Sequence, residues 1–378
     1  MKKGEQFDHY GVKVRLQLNE DQLIQVKKTF VCRRFLYNHL LDKRSKAWGR
    51  RNESLNLKKQ KEFLKNMKQA FPWLKEVDKF ALENAVFDLD RAYQNFFEKR
   101  ANYPVFKSKH KKQSYKTNQT NNNIVLSADF KQVKLPKLGW VACAGSENVL
   151  QRAKKQNHRI SSATISEKAG VITCSLLFEK AKTQAAHPKT GQVGIDMGLT
   201  YLFIDSNGHK EPNPRYYGKA QKRLAKLQRK LASQQKSSHR YGKTKRKIAK
   251  LHVLIANQRK DLHHKLAKRI TDDNQVVCVE NLHIRGMVKN KRLAKHIQDA
   301  AWYQFRRFLT YKAERKGGQV LLVDRWTATS RVCSHCGKKK TLLNLNERKW
   351  ICAACRTEHD RDINAAANIL REGLKQIG

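Results

Sequence analysis

The sequence predicts a multidomain α+β protein, and three observations carry that prediction. The 378 residues suit two or three compact domains, each able to bury its own core. Short alternating apolar runs flank a long helical pattern in the first half. The second half mixes short apolar strands with long basic helices and two C-x-x-C pairs.

The elements follow in order. Residues 11–18 alternate apolar with polar, the pattern of a half-buried strand, and Asn19, Glu20 and Asp21 break it. From about 21 to 100 the spacing turns helical. Leu36, His39 and Leu40, then Phe80, Leu82, Val86, Phe87 and Leu89, recur three and four residues apart, and Pro72 marks a break between helices. Residues 104–120 are basic with Tyr103, Phe106 and Tyr115 interleaved, and Asn121 to Asn123 read as a loop. Short strands are expected at 124–126, 133–135, 160–165 and 171–178, so a helical insert interrupts a β domain. Residues 181–192, with Pro188 and Gly191, read as a linker.

A β-hairpin is expected over 193–208, closed by the turn Ser206-Asn207-Gly208. Residues 216–272 read as one or two basic helices with Leu224, Leu227 and Leu231 on one face and a turn at His239 to Gly242. A strand at Val276–Val279 ends on Glu280. A helix covers about 295–316, a strand Val320–Val323, and a last helix Asp362–Leu374.

The charge narrows the partners. Eighty Lys and Arg against 32 Asp and Glu give a net charge of +48. Such a field repels itself unless polyanions neutralise it, and excess Lys and Arg are the footprint of many phosphate contacts. Solubility alone asks for a net charge of only about 2–8. An anionic membrane surface would call for an amphipathic anchor or a lipidation signal, and neither is found. The start has no apolar run to serve as a secretory signal, and no stretch approaches the roughly 20 residues of a membrane span. A soluble, cytoplasmic chain is expected.

Eight cysteines divide into two sets. Cys32, Cys143, Cys174 and Cys278 lie among apolar residues and read as buried reduced thiols. Cys333-Ser-His-Cys336 and Cys352-Ala-Ala-Cys355 are two knuckles separated by residues 337–351, the spacing of a zinc ribbon. Four thiolates complete a tetrahedron and leave no open position, so one structural Zn²⁺ is expected. Disulfides and an iron–sulfur cluster are the alternatives. Gly337 supplies a turn, and His335 and His359 are read as non-ligands.

Three carboxylates stand at the ends of core elements. Asp196 follows Val193-Gly-Ile195, flanked by Gly194 and Gly198, which would let a backbone or a phosphate come close. Glu280 ends an apolar run, and Asp362 opens the last helix with Asp360 two residues before it. An acid beside a buried strand is costly unless it is paired or bound to metal. Three on separate elements can converge on two Mg²⁺ ions and support phosphodiester hydrolysis. Taken singly, each has a plainer explanation: Asp362 as a helix cap, Glu280 as a strand end, Gly-Ile-Asp-Met-Gly as a turn.

At Gly194-Ile-Asp-Met-Gly-Leu, Val279-Glu-Asn-Leu282, Ser330-Arg-Val-Cys-Ser-His-Cys-Gly337 and His359-Asp-Arg-Asp-Ile-Asn-Ala-Ala-Ala-Asn368, the chain resembles the TnpB family. These are RNA-guided nucleases encoded by insertion sequences and related to type V CRISPR effectors. The resemblance is specific over about 190–378 and extends to 1–180 in layout only. It implies a RuvC-type, RNase H-like nuclease domain over 187–378 with a zinc ribbon at about 327–358. It implies a β-barrel-like wedge domain from 1–20 and 104–186, interrupted by a helical recognition lobe at 21–103.

Asp196, Glu280 and Asp362 then resemble the catalytic, Mg²⁺-holding carboxylates, with Asp360 the runner-up for the third. Asn364 and Asn368 resemble helix-start or supporting groups, and Arg331 a phosphate contact. The implied partners are a guide RNA from the transposon end and a double-stranded DNA target with a short adjacent motif. The protein is expected to be monomeric in the ribonucleoprotein, in a prokaryotic cytoplasm and nucleoid-associated on DNA. The rivals are a transposase acting on transposon ends without RNA, a guide-directed DNA binder that has lost cleavage, and a non-enzymatic zinc-ribbon binder.

Overall fold

A computed structural model describes residues 7–182, 189–344 and 347–377. The chain divides into two compact units, Met1–Lys182 and Thr183–Gly378. No helix among the described residues is long and apolar enough to cross a membrane.

The first unit opens with β1 (Phe7–Gln17), whose Val12, Val14 and Leu16 face the core as the alternation predicts. It starts earlier than expected. Asn19 does more than break the strand: it caps α1 (Glu20–Arg51) through a reciprocal box with Gln22. Then come α2 (Leu57–Ala70), a 3₁₀ turn opened by Pro72 (Pro72–Glu76), and α3 (Lys79–Phe97). Leu36, Leu40, Leu82, Val86 and Leu89 form the centre of the helical core. Phe87, expected on the same face, is exposed. It follows Val86 directly, and the hundred-degree step between neighbours turns it away.

The chain continues with β2 (Gln113–Asn118), β3 (Val125–Leu126), β4 (Gln132–Leu135), β5 (Gly139–Ala144), α4 (Glu147–Lys155), β6 (Arg159–Lys168) and β7 (Val171–Ala181). These strands join β1 in a seven-stranded sheet of order β2-β6-β7-β1-β5-β4-β3. β1 therefore pairs only with strands that come after the helices, with Arg15 opposite both Thr173 and Ala144. Among the described residues no ladder joins β2 to β3. β2, β5 and α4 are additions to the expected elements. The polar β2 shows its period only through Tyr115 and Thr117, the two buried positions.

In the second unit, β8 (Gly191–Asp196), β9 (Tyr201–Asp205) and β10 (Lys210–Pro212) form an antiparallel meander. α5 (Tyr216–Ala232) and α6 (His239–Asp273) lead to β11 (Asn274–Glu280). α7 (Ile284–Met287), α8 (Lys291–Ala300), α9 (Trp302–Glu314) and β12 (Gln319–Val323) follow. β13 (Lys349–Ile351), β14 (Glu358–Asp360) and α10 (Arg361–Leu374) complete the unit. The sheet order is β10-β9-β8-β11-β12, with β8, β11 and β12 parallel. Val277 and Val279 pack on one face with Leu266, Ile270, Phe305 and Leu309 from α6 and α9. Val276 and Cys278 pack on the other face with Ile369 of α10. A central parallel strand is covered on both faces, which explains its unbroken apolar run.

Three expectations are corrected here. The break between the basic helices falls at 233–238, and His239 instead begins α6 behind the cap Ser238. The helix at 295–316 is two helices, divided at Ala301 in the left-handed conformation (φ 50°). Gly191 and Gln192, read as linker, already belong to β8, where Gly191 pairs with Asn274. The linker residues 183–188, Pro188 included, and the boundary placed at 186/187 lie outside the described residues, as does the start at 1–6. Cys32, Cys143, Cys174 and Cys278 are buried free thiols, as expected.

Candidate functional site

The strand register brings Asp196 and Glu280 to one end of the sheet. β8 and β11 run parallel with Ile195 opposite Val279, and each acid is the next residue along. Asp362 reaches the same end on α10. A Cβ on Gly194 would lie 2.1 Å from Ala366 O and 2.7 Å from Leu370 N. Only a glycine lets α10 sit this close to β8. The close approach anticipated at Gly194 is therefore that of a helix backbone. With Ala366 over Gly194, Asp362 lies one turn earlier, toward Asp196.

The electrostatics register this convergence. The Asp196 carboxyl is pushed up to about 7, first by burial and then by the charges of Glu280 and Asp362, with Arg361 opposing. Burial also raises Glu280, against a hydrogen bond from Thr329 Oγ1 to Glu280 Oε1 at 3.0 Å. Asp362 accepts from Arg348 Nη1 at 3.1 and 3.3 Å. The three carboxylates do not close as tightly as the cysteines: the cysteine set alone, among the described residues, gathers its ligand atoms within 4.8 Å. Hard oxygen ligands around a shared site that raises a carboxyl in this way suit Mg²⁺.

Asp360 has a different task. Its Oδ1 accepts from the backbone of Asp362 at 3.0 Å and Ile363 at 3.2 Å, which makes it the N-cap of α10. Its other oxygen accepts from Lys210 Nζ at 2.6 Å.

Cys333, Cys336, Cys352 and Cys355 converge as their spacing predicts. The pairs Cys333–Cys355 and Cys336–Cys352 are each 3.6 Å apart between sulfurs. Thiolates about 2.3 Å from a tetrahedral zinc would stand about 3.8 Å apart, so the set fits Zn²⁺. The two knuckles repeat one backbone pattern. Gly337 N donates to Cys333 O and Arg356 N to Cys352 O, both at 2.9 Å, with φ of 77° at Gly337 and 59° at Arg356. His335 is exposed. His359 is buried, with Nε2 3.0 Å from Cys333 Sγ and its ring 4.6 Å from Trp350.

Asn364 and Asn368, both buried, tie the ribbon to α10. Asn364 Nδ2 donates to Val332 O at 2.8 Å, and Ser334 N donates to Asn364 Oδ1 at 2.8 Å. Asn368 Nδ2 donates to Thr329 O at 2.8 Å and Val332 O at 2.6 Å. The segment they hold carries Thr329 at one end and Cys333 at the other. Arg331 lies between, its side chain exposed. Sequence reasoning missed Thr329 and Lys210. The run Thr-Ala-Thr-Ser before the knuckle is a weak signal for the first, and Lys210 has none.

A family model described as "Probable transposase" matches residues 175–291, one described as "Cas12f1-like, TNB domain" matches 302–369, and one described as "Helix-turn-helix domain" matches 9–53. In this chain the last segment is β1 followed by the single helix α1. A Streptomyces pristinaespiralis protein named "Putative RNA-guided DNA endonuclease" is 34% identical over 370 residues, 96% of this chain and 89% of that one. An Escherichia coli K12 protein named "Putative RNA-guided DNA endonuclease InsQ" is 31% identical over 378 residues, 96% of this chain and 91% of that one. A solved Cas12f1–sgRNA–target DNA complex contains a chain of similar fold, with TM-score 0.56 and 13% identity over 96% of this chain and 98% of that one.

Mixed α/β architecture of this kind, with a four-cysteine cluster, places the fold in the Cas12f1-like class. Within it the sequence relationships are closer, and the chain belongs to the TnpB family.

Proposed function

We propose that this protein is an RNA-guided DNA endonuclease that hydrolyses phosphodiester bonds of target DNA. One observation carries the reading. Asp196, Glu280 and Asp362 meet at one sheet end in a chain of +48, where burial first and then the charges of the other two raise Asp196. Like charges gathered beside a buried strand need a cation, and the surrounding excess of Lys and Arg needs a polyanion. The names of the relatives at 34% and 31% identity supply the guide.

The order 3-2-1-4-5 of the second sheet, with its first two pairings antiparallel and the rest parallel, supports an RNase H-like, RuvC-type domain. Asp196, Glu280 and Asp362 would hold Mg²⁺, and the four cysteines would hold one Zn²⁺. Bound Mg²⁺ supplies Lewis acidity for water activation and charge stabilisation in phosphodiester hydrolysis. The chain's own residues do the rest. Thr329 fixes one oxygen of Glu280. Asp360 caps α10 and so sets where Asp362 stands. Arg331, exposed between Thr329 and Cys333, would meet a phosphate. The first unit acts as wedge and recognition lobe, and the basic α5 and α6 line the path of the guide–target duplex.

The protein reads backbone shape while base pairing reads sequence. The test is plasmid cleavage with two guides and two targets in all four combinations. Cutting should follow the guide. Cutting that ignores it, or follows transposon-end sequence, would favour a transposase.

A further inference from the structure

The loop between β12 and the first knuckle displays a group that the cleavage chemistry does not use. Trp326 is 80% exposed, the most exposed large hydrophobic side chain among the described residues. Its loop is built to hold it there. Trp326 N donates to Asp324 Oδ1 at 2.8 Å, Thr327 N to Asp324 O at 3.1 Å, and Thr329 N to Thr327 O at 2.8 Å. Both ends are tied beside Glu280: Asn281 N donates to Val323 O at 2.9 Å, and Thr329 Oγ1 donates to Glu280 itself.

The indole is not alone. The Arg325 guanidinium lies 4.8 Å from its ring centre. A second pair hangs on the same strand end. Arg306 Nη1 donates to Asn281 Oδ1 at 2.9 Å, and its guanidinium lies 5.7 Å from the ring centre of Tyr303, which is 56% exposed. Two flat π faces, each beside a cation, therefore flank the end of β11.

This combination suits an unpaired nucleic-acid strand. A free base offers a face to stack on, and its phosphate meets the neighbouring arginine. Bases within a duplex are already stacked and present only edges and backbone. A protein partner would ask for a continuous apolar patch, whereas Trp326 stands between Arg325 and Thr327. We propose that Trp326, backed by Arg325, is a stacking platform for a nucleobase of the single strand whose phosphate is cut at Glu280, with Tyr303–Arg306 as a second face. The proposal rests on the endonuclease reading above.

The test uses the whole ribonucleoprotein with its guide RNA and a matched target. Trp326→Ala should slow cutting roughly tenfold, and Trp326→Phe should stay within about threefold of wild type, because a smaller ring still stacks. Target binding through the guide should be unchanged in both. A target carrying abasic sites around the cut should slow the wild type to the Trp326→Ala rate and slow the variant no further. In a Glu280→Gln background, 2-aminopurine at the same positions should be quenched with Trp326 and brighter with Ala.

Equal rates and equal fluorescence for wild type and Trp326→Ala would overturn the platform. Wild-type protein that cuts no guide-matched target would instead overturn the endonuclease reading, and the fluorescence comparison would still decide the platform.

Discussion

Lys210 Nζ donates to Asp360 Oδ2 at 2.6 Å, across 150 residues of sequence. The pair separates two acids that stand two residues apart. Burial pushes the Asp360 carboxyl up, but Lys210 and the backbone amides of Ile363 and Asp362 outweigh it and hold the group below the usual range. Asp360 is thus committed to α10, which is why the proposed metal role goes to Asp362.

The variants should diverge accordingly. Asp362→Ala should abolish guided cutting while RNA and target binding persist, because a metal ligand acts in the chemical step and the basic surface makes the phosphate contacts. Asp360→Ala should cost about 1–2 kcal/mol of stability through the lost cap, seen as a lower melting temperature, and should leave measurable cutting. Loss of all cutting in a well-folded Asp360→Ala protein, with Asp362→Ala active, would reverse the assignment.

Much of this site could be read before the fold was known. Cysteine spacing carries its own geometry, because two short turns can present four thiolates however the rest of the chain folds. Asp196 and Glu280 stand at the ends of apolar runs, and Asp362 at the start of the last helix. What the sequence could not reveal depends on pairing at long range. Lys210 meets Asp360, and Thr329 meets Glu280, only through the sheet order and the path of the ribbon. The strand Gln113–Asn118 leaves little mark in the sequence because its buried positions are a tyrosine in a basic run and a polar threonine, Tyr115 and Thr117. The split at Ala301 escaped because an alanine in the left-handed conformation leaves no compositional mark.

One Zn²⁺ per chain should be found by elemental analysis, and iron or no metal would refute the ribbon assignment. Cys336→Ser should release it and lower the melting temperature, since metal binding is coupled to folding. The effect should spread beyond the ribbon, because Asn364 and Asn368 clasp the segment between Thr329 and Cys333. Cutting should fall with zinc content, even though no cysteine touches the carboxylates.

Asp196 sets a pH dependence that can be measured without nuclease assays. Its folded carboxyl titrates near 7, above the ordinary value of 3.8. Metal-free protein should therefore lose stability as pH rises from about 4 to about 7, because over that range the folded state still holds a proton that the unfolded state has already lost. Asp196→Asn removes that loss. Asp196 is only partly buried by exposure, so solvent offsets some of the cost, and a gain of about 2 kcal/mol is expected for the metal-free variant above neutrality. The gain should vanish below about pH 4 and should shrink when Mg²⁺ is added to the wild type. A variant no more stable than wild type at pH 8 would show that burial and the neighbouring acids do not raise Asp196.

Gly194→Ala tests whether helix position, and not the acids alone, makes the site. The new methyl would meet the Ala366 carbonyl at 2.1 Å and the Leu370 side chain at 2.9 Å. Both belong to the body of α10, so no single rotamer change relieves the overlap. The helix must move outward, and Asp362 moves with it. A loss of about 1–3 kcal/mol is expected from overpacking, and cutting should fall further than stability accounts for at a temperature where the variant is fully folded. Zinc content should stay at one per chain, because the four cysteines lie outside the overlap. Gly198→Ala is the comparison: its methyl would sit 3.0 Å from Tyr201 O within the same hairpin, with no atom of α10 within 4 Å. It should cost some stability and leave the metal requirement for cutting unchanged. If Gly194→Ala cuts at the wild-type rate with the wild-type Mg²⁺ requirement, then the packing of α10 on β8 does not set the position of Asp362.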